Sequence, residues 1–196
     1  MTNELIEIDL NKIAEYWQSE VAPQVLPNSC VLAVRLVSKA LNTLDVPHQI
    51  TACDALAMND EAWLLQRQGI SVTDWSPTAW SVGAVSNPNA VGTNLTMRGG
   101  YAGHLVVTAQ QHLIDLTAGQ FDRPSHGIVT GGSLIIPFSE IPTDEQGSRC
   151  VPIKQGRYLL RPAQYPSNYA RGTDWEYAYR KFLRGLLHHL RGDVHV

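Results

Sequence analysis

Apolar residues recur every three or four positions in four parts of the chain and form short continuous runs elsewhere. The helical spacing predicts helices at residues 4–20, 30–44, 59–68 and 174–191. The helix that begins at Cys30 has an unusually wide apolar stripe, so we expect it to be buried on most of its faces. The last helix is amphipathic, with one apolar and one polar face.

The start of the second helix is well marked in the sequence. Two prolines break the chain before it, and either Asn28 or Ser29 is suited to cap its first turn. The segment Asp45-Val46-Pro47 ends it. Cys30 therefore falls in the first helical turn, where unpaired N–H groups and the helix dipole favour a thiolate.

Strands are expected mainly in the second half of the chain. Residues 69–100 are rich in Gly, Pro, Ser and Asn and predict loops and short strands, an arrangement that often forms the wall of a substrate site. Helices followed by antiparallel strands indicate an α+β fold in a single domain, residues 1–196. The predicted strands are residues 48–53, 103–109, 112–117, 133–137 and 158–161.

Two of these strands form a hairpin if Gln110-Gln111 is a two-residue turn. Pairing across that turn makes His104 and Asp115 diagonal neighbours on one face, roughly 7–8 Å apart at the backbone and within side-chain reach. A four-residue loop keeps this shared face, whereas a three-residue loop can destroy it. Asp115 needs a polar partner on an otherwise apolar strand, and His104 is one. The alternative is a carboxylate that caps a turn or accepts backbone N–H groups.

Cys30, His104 and Asp115 together are the parts of a thiol active site. In this interpretation Cys30 attacks a carbonyl carbon, His104 takes and returns a proton, and Asp115 fixes the imidazole tautomer. The Cys30 backbone N–H is one oxyanion donor, and Gln24 is a candidate for a second. The competing interpretation is a structural cysteine, because cysteine is among the most buried residue types.

Four further residues are candidates for the wall of a substrate site: Trp75, Trp80, Gly100 and Gln120. Gly100 belongs to a glycine-rich stretch before His104, where a substrate backbone can approach closely. If Trp63, Trp75 and Trp80 line the cleft, they favour an extended protein or peptide substrate over a small metabolite. A flexible turn explains Gly100 equally well, ordinary loop polarity explains Gln120, and core packing explains the tryptophans.

Composition narrows the classes of protein and cofactor. The 44% hydrophobic and 17% charged content fits a folded protein. Three cysteines without CxxC spacing argue against a disulfide framework or a cysteine-based zinc site, and histidines 188, 189 and 195 lack zinc-site spacing. There is no dinucleotide or Walker A motif, so we expect neither metal nor cofactor. With no secretory signal and no apolar run near the roughly 18 residues of a membrane helix, we expect a cytoplasmic protein without membrane association.

Charge is unevenly distributed along the chain. Residues 148–196 hold nine Lys/Arg and three Asp/Glu, a net charge of +6. Because the whole chain has a net charge of −3, the remaining residues carry a net charge of −9. Such asymmetry occurs in nucleic-acid binders, but a basic tail matched to an acidic body is commoner, and we do not expect nucleic-acid binding. The sequence carries no indication of oligomeric state.

Three segments together have the pattern of a known family. The helix that starts at Cys30 ends in KALNTLDVP (residues 39–47), and GHLVV (103–107) and LIDLT (113–117) follow later. These segments resemble the nucleophile helix, with its closing LLRALGIPAR phrase, and the His and Asp strands of the transglutaminase-like superfamily. The spacing of Gln24 before Cys30 is similar to that of the oxyanion glutamine of papain. Leu105 stands where the family usually has an aromatic residue.

The resemblance covers residues 24–121 and implies a papain-like fold, with the nucleophile helix packed on an antiparallel sheet. Residues 122–196 then add strands and the C-terminal amphipathic helix. The implied triad is Cys30, His104 and Asp115. Because the superfamily contains protein crosslinkers, proteases, deamidases, acetyltransferase-like enzymes and inactive members, two functions are expected. One is a thiol-dependent hydrolase, amidase or acyl transferase acting on an amide or peptide-like bond, and the other is a catalytically silent module that binds a protein partner.

Overall fold

Four α-helices and seven β-strands form in the part of the chain that the structure, a computed structural model, describes: residues 8–26, 29–86, 103–141, 143–144, 147–164 and 176–191. This mixture confirms the predicted α+β class. The helices are α1 (Leu10–Tyr16), α2 (Cys30–Thr43), α3 (Asp60–Arg67) and α4 (Glu176–Arg191). The strands are β1 (His48–Met58), β2 (Ser81–Ala84), β3 (His104–Ala109), β4 (His112–Asp115), β5 (Leu134–Pro137), β6 (Arg149–Pro152) and β7 (Arg157–Pro162).

All seven strands belong to one antiparallel sheet, in which β1 is the central strand. The order is β5-β4-β3-β1-β7-β6, and β2 also pairs with β1. Residues 48–53 of β1 pair with β3, and residues 53–58 pair with β7. Residues 55–58 also pair with β2, on the side of β1 opposite β7. Strand β1 therefore joins the hairpin that carries His104 to the strand that carries Tyr158.

Several element boundaries differ from the sequence predictions. Strand β1 continues past Cys53 to Met58 because that second half has strand partners on both sides and buries Ala55 and Ala57 completely. Strand β6 was not predicted, since its four residues are too few to show a period. The first predicted helix begins at residues outside the described ranges, and α1 continues as a π-helix over Trp17–Val21.

Helix α2 is the apolar centre of the molecule, and its predicted burial is confirmed. Nine of its fourteen residues are buried. It packs with Leu105 and Val107 on one face of β3, and with residues of α1 and α4. Ser29 occupies the N-cap position, but its hydroxyl donates to the Leu26 carbonyl, so it does not cap the first-turn N–H groups. Within the described residues, no helix is both long and apolar enough to cross a membrane.

The other face of the sheet covers a second apolar cluster, which includes Val106, Leu113, Phe121 and Tyr158. Leu105 and Val107 belong to the first cluster and Val106 to the second, because successive side chains of a strand point to opposite faces of the sheet. His104, at the start of β3, belongs to the same alternating set as Val106 and so faces the second cluster. The candidate site thus lies where β3 begins.

Candidate active site

The β3–β4 hairpin has the predicted two-residue turn. Gln110 and Gln111 both have positive φ, 47° and 61°, as a type I′ turn requires. The pairs Val107↔Ile114 and Thr108↔Leu113 confirm the predicted register. One step further along the same ladder, this register makes His104 and Asp115 diagonal neighbours on one face.

The side chains of His104 and Asp115 meet in a buried hydrogen bond. His104 Nε2 lies 2.8 Å from Asp115 Oδ2, and the two residues are 0% and 1% exposed. Tyr158 also donates its hydroxyl to Oδ2, at 2.7 Å. Oδ1 accepts the Thr117 backbone N–H at 3.0 Å and the Thr117 hydroxyl at 3.3 Å. Asp115 therefore takes both roles that the sequence left open, as partner of a histidine and as acceptor of a backbone N–H.

The electrostatics of this pair favour an imidazolium beside a carboxylate. Burial disfavours the charged imidazole, but the charge and hydrogen bond of Asp115 outweigh it and raise the pKa of His104 to about 10. Burial also acts to raise the pKa of Asp115, yet His104, Tyr158 and Thr117 together hold it below its ordinary value. At neutral pH the buried pair is therefore ionised on both sides.

The Cys30 thiol completes the series. The Cys30 thiol also contributes to raising the pKa of His104, so the thiol and the imidazole are neighbours. Because Asp115 occupies Nε2, the ring nitrogen that remains for the thiol is Nδ1, which also faces the Gln120 amide. Cys30 itself is 6% exposed and lies in the first turn of α2, where the helix dipole favours a negative charge. An imidazolium beside a cysteine stabilises the thiolate form of that cysteine.

Gln120 is also brought to the imidazole. It belongs to a short 3₁₀ helix, Ala118–Phe121, that follows β4, and its Nε2 lies 3.1 Å from His104 Nδ1. Phe121, in the same turn, places its ring edge-on to the imidazole with centroids 5.4 Å apart. The sequence named Gln120 only as a wall candidate; the structure gives it a direct contact with the proposed base.

Two residues of the site escaped the sequence interpretation. Tyr158 lies in a predicted strand, but its contact with Asp115 depends on β7 pairing with β1, which no local pattern reveals. Cys53 lies directly opposite His104 in the sheet, and its thiol donates a weak hydrogen bond, 3.6 Å, to the His104 carbonyl. Burial, with a contribution from Asp115, raises the pKa of Cys53 well above its usual range, so it stays a neutral thiol.

The other predicted residues lie elsewhere or outside the described ranges. Gln24, proposed as an oxyanion donor, is exposed; its amide donates to the Glu20 carbonyl, and Lys181 donates to its oxygen at 3.4 Å. Gln24 ends a short 3₁₀ helix, Ala22–Gln24, that follows the π-helix, and its side chain reaches Lys181 on α4. Gly100 lies outside the described residues.

The two predicted wall tryptophans have partners of their own. Trp75 donates to the Ile70 carbonyl and packs in a cluster with Met58. Trp80 stacks on His126, with ring centroids 3.5 Å apart. Both tryptophans pack around α3 and the second half of β1 rather than against the His104–Asp115 pair.

Comparisons with known proteins give no independent assignment. No family model, no curated protein and no solved structure matches this chain. Among the described residues, no group of three or more His, Cys, Asp or Glu side chains is arranged to hold a metal ion. Functional inference therefore depends on the geometry around Cys30, His104 and Asp115.

Proposed function

We propose that this chain is a thiol-dependent enzyme of the transglutaminase-like, papain-like type, acting on an amide or peptide-like bond as a hydrolase, amidase or acyl transferase. One observation supports the proposal: His104 and Asp115 form a buried pair that Tyr158 and Thr117 also hold, and the Cys30 thiol lies close enough to contribute to the raised pKa of His104. A nucleophile, a base and a group that orients the base are the three parts that covalent acyl transfer needs.

The chemical steps follow from which nitrogen faces which partner. The Cys30 thiolate attacks the carbonyl carbon, and a C–S bond forms as the carbonyl oxygen becomes an oxyanion. His104 Nδ1–H then gives its proton to the leaving nitrogen as the C–N bond breaks, which leaves a thioester on Cys30. Water or an amine attacks the thioester, His104 takes its proton, and the Cys30 thiolate is released.

Asp115 and the start of α2 support these steps electrostatically. Asp115 fixes the imidazole by accepting from Nε2 and stabilises its positive charge throughout the cycle. The Cys30 backbone N–H, at the N-terminus of α2, is the oxyanion donor that this arrangement favours. A protein or peptide substrate remains the proposed class.

A second candidate is a catalytically silent module of the same fold that binds a protein partner. The observation that favours it is the enclosure of the site: Cys30 is 6% exposed and His104 is fully buried. A substrate carbonyl reaches the thiol only if some covering group moves. In a silent module, the His104–Asp115 pair would serve as a buried structural ion pair.

Acylation measured by intact mass spectrometry separates the two candidates. We expect p-nitrophenyl butyrate to leave one butyryl group on wild type, none on Cys30→Ser, and one on the matched control Cys150→Ser. His104→Gln, which keeps an amide donor for Asp115, should acylate at least about tenfold more slowly because it cannot exchange the proton. Absence of the adduct on wild type, or acylation at equal rates in Cys30→Ser, would overturn the enzyme proposal.

A further inference from the structure

A pocket of about 210 Å³ opens directly beside the candidate site. Two of its lining residues are bonded to the proposed catalytic groups: Thr117 donates to Asp115, and Gln120 lies 3.1 Å from His104 Nδ1. The pocket and the imidazole are therefore separated by a single side chain. Its other walls come from the segment between α1 and α2 and from residues next to β5.

The surface that this pocket offers is apolar and uncharged. Trp17, Ala22, Val25, Leu26 and Leu116 form much of the lining, and none of the described residues around the pocket carries a charge.

The polar groups of the lining are mostly engaged. The Ser133 hydroxyl donates to the Leu116 carbonyl at 3.0 Å, and the Thr117 hydroxyl donates to Asp115. A charged ligand group would lose part of its hydration here without finding an opposite charge in the lining. The pocket therefore discriminates by charge, in favour of neutral groups.

We infer that this pocket binds a neutral hydrocarbon group of the substrate, on the acyl side of the carbonyl that Cys30 attacks. The acyl assignment rests on the proposed function, whereas the preference for a neutral apolar ligand depends on the lining alone. A volume of about 210 Å³ holds about seven groups at ~30 Å³ each, which is enough for an acyl chain of up to roughly seven carbons. Burying such a chain gives specificity through the hydrophobic effect.

The first test varies the acyl chain. Rates of Cys30 acylation are measured with p-nitrophenyl acetate, hexanoate and the anionic mono-succinate, each divided by its rate with free cysteine. In wild type, we expect the normalised acylation rate with the hexanoate ester to exceed the rates with the acetate and succinate esters by about tenfold or more. Ala22→Trp, at the exposed lip of the pocket, should remove this preference. Ser19→Trp, an exposed neighbour that does not line the pocket, should keep it.

The second test does not depend on thiol chemistry. Trp17 lines the pocket and is 3% exposed, so its indole N–H resonance reports on an occupant. We expect N-hexylacetamide to shift this resonance in a saturable manner and the free hexanoate anion to bind at least about tenfold more weakly. The substitution Ala22→Trp should abolish the shift. Trp17→Phe assigns the resonance.

The outcomes of the two tests distinguish the pocket from the proposed function. If Cys30 is inert but Trp17 responds to N-hexylacetamide, the binding pocket stands and the proposed function fails. If Cys30 is acylated in a His104-dependent manner with no preference for hexanoate, the function stands and the pocket assignment is overturned. A Trp17 resonance that ignores N-hexylacetamide, or a chain preference that survives Ala22→Trp, also overturns it.

Discussion

At the scale of single residues, Asp115 shows how a carboxylate can be buried at low cost. It is 1% exposed, and a charge at such a position is strongly unfavourable unless its oxygens accept hydrogen bonds. Four donors from three residues satisfy it: one ring nitrogen of His104, the Tyr158 hydroxyl, and the N–H and hydroxyl of Thr117. The aspartate is thereby fixed, and through it the imidazole plane and tautomer are fixed as well.

Tyr158→Phe should destabilise the protein while preserving its packing. The ring stays in the apolar cluster, but Asp115 loses a charge-assisted donor, so we expect the free energy of unfolding to fall by about 1.5–3 kcal/mol. The pKa of Asp115 should rise towards its ordinary value, because one of the groups that lower it is gone.

Urea unfolding near neutral pH and in mild acid measures both effects of Tyr158→Phe. The matched control is Tyr179→Phe, on α4, whose hydroxyl has no bond to Asp115; we expect a change within ±0.5 kcal/mol there. Equal losses in the two variants would contradict the assigned role of the Tyr158 hydroxyl.

At the scale of elements, the β3–β4 turn sets the geometry of the pair. Both turn residues have positive φ, which costs a non-glycine residue about 1–2 kcal/mol in the left-handed region. Gln111→Gly should therefore stabilise the protein by about 0.5–1 kcal/mol, after the greater backbone entropy of glycine in the unfolded chain is subtracted.

Thermal unfolding tests the Gln111→Gly prediction. Gln68→Gly is the control, because Gln68 has an ordinary φ of −78° at the end of α3, and glycine there should not stabilise. A lower melting temperature for Gln111→Gly than for wild type would show that the turn is not under this strain.

The hairpin was predictable from sequence because its parts are local. A two-residue turn between short apolar strands fixes the register, and the register places His104 and Asp115 on one face. The contact of Tyr158 with Asp115 was not predictable, because it depends on the pairing of β1 with β7 across more than a hundred residues. Gln24 shows the same limit: its spacing before Cys30 does not reveal that its amide donates to the Glu20 carbonyl and that its oxygen accepts from Lys181 on α4.

For the whole molecule, the buried ion pair predicts how stability depends on pH. The pKa of His104 is raised from its ordinary 6.5 to about 10, so its contribution is full below pH 6.5 and is lost as pH rises towards 10. The pKa of Asp115 is lowered, so its contribution is present above the ordinary value of the carboxyl and is lost as pH falls below it. Stability should therefore be greatest between about pH 4 and 6.5 and should decline on the alkaline side.

Urea midpoints between about pH 3 and 10 measure this profile. In His104→Gln, the decline between pH 6.5 and about 9 should become shallow, because the titrating group has been removed. The buried Tyr158 and Cys53, whose pKa values are raised chiefly by burial, still destabilise the fold above about pH 9 in both proteins. A wild-type midpoint that rises from pH 6.5 to 9 would contradict the ion pair.

Alkylation of the three cysteines by iodoacetamide between about pH 5 and 9, mapped by mass spectrometry in wild type and His104→Gln, tests the proposed active site most directly. An ordinary thiol gains reactivity only near pH ~8.5. We expect Cys30 to be labelled faster than Cys53 and Cys150 below pH 7 and to lose that advantage in His104→Gln, because the imidazolium at its side stabilises the thiolate. Labelling of Cys30 that is no faster than that of Cys150, and indifferent to the His104 substitution, would contradict an activated thiol at this site.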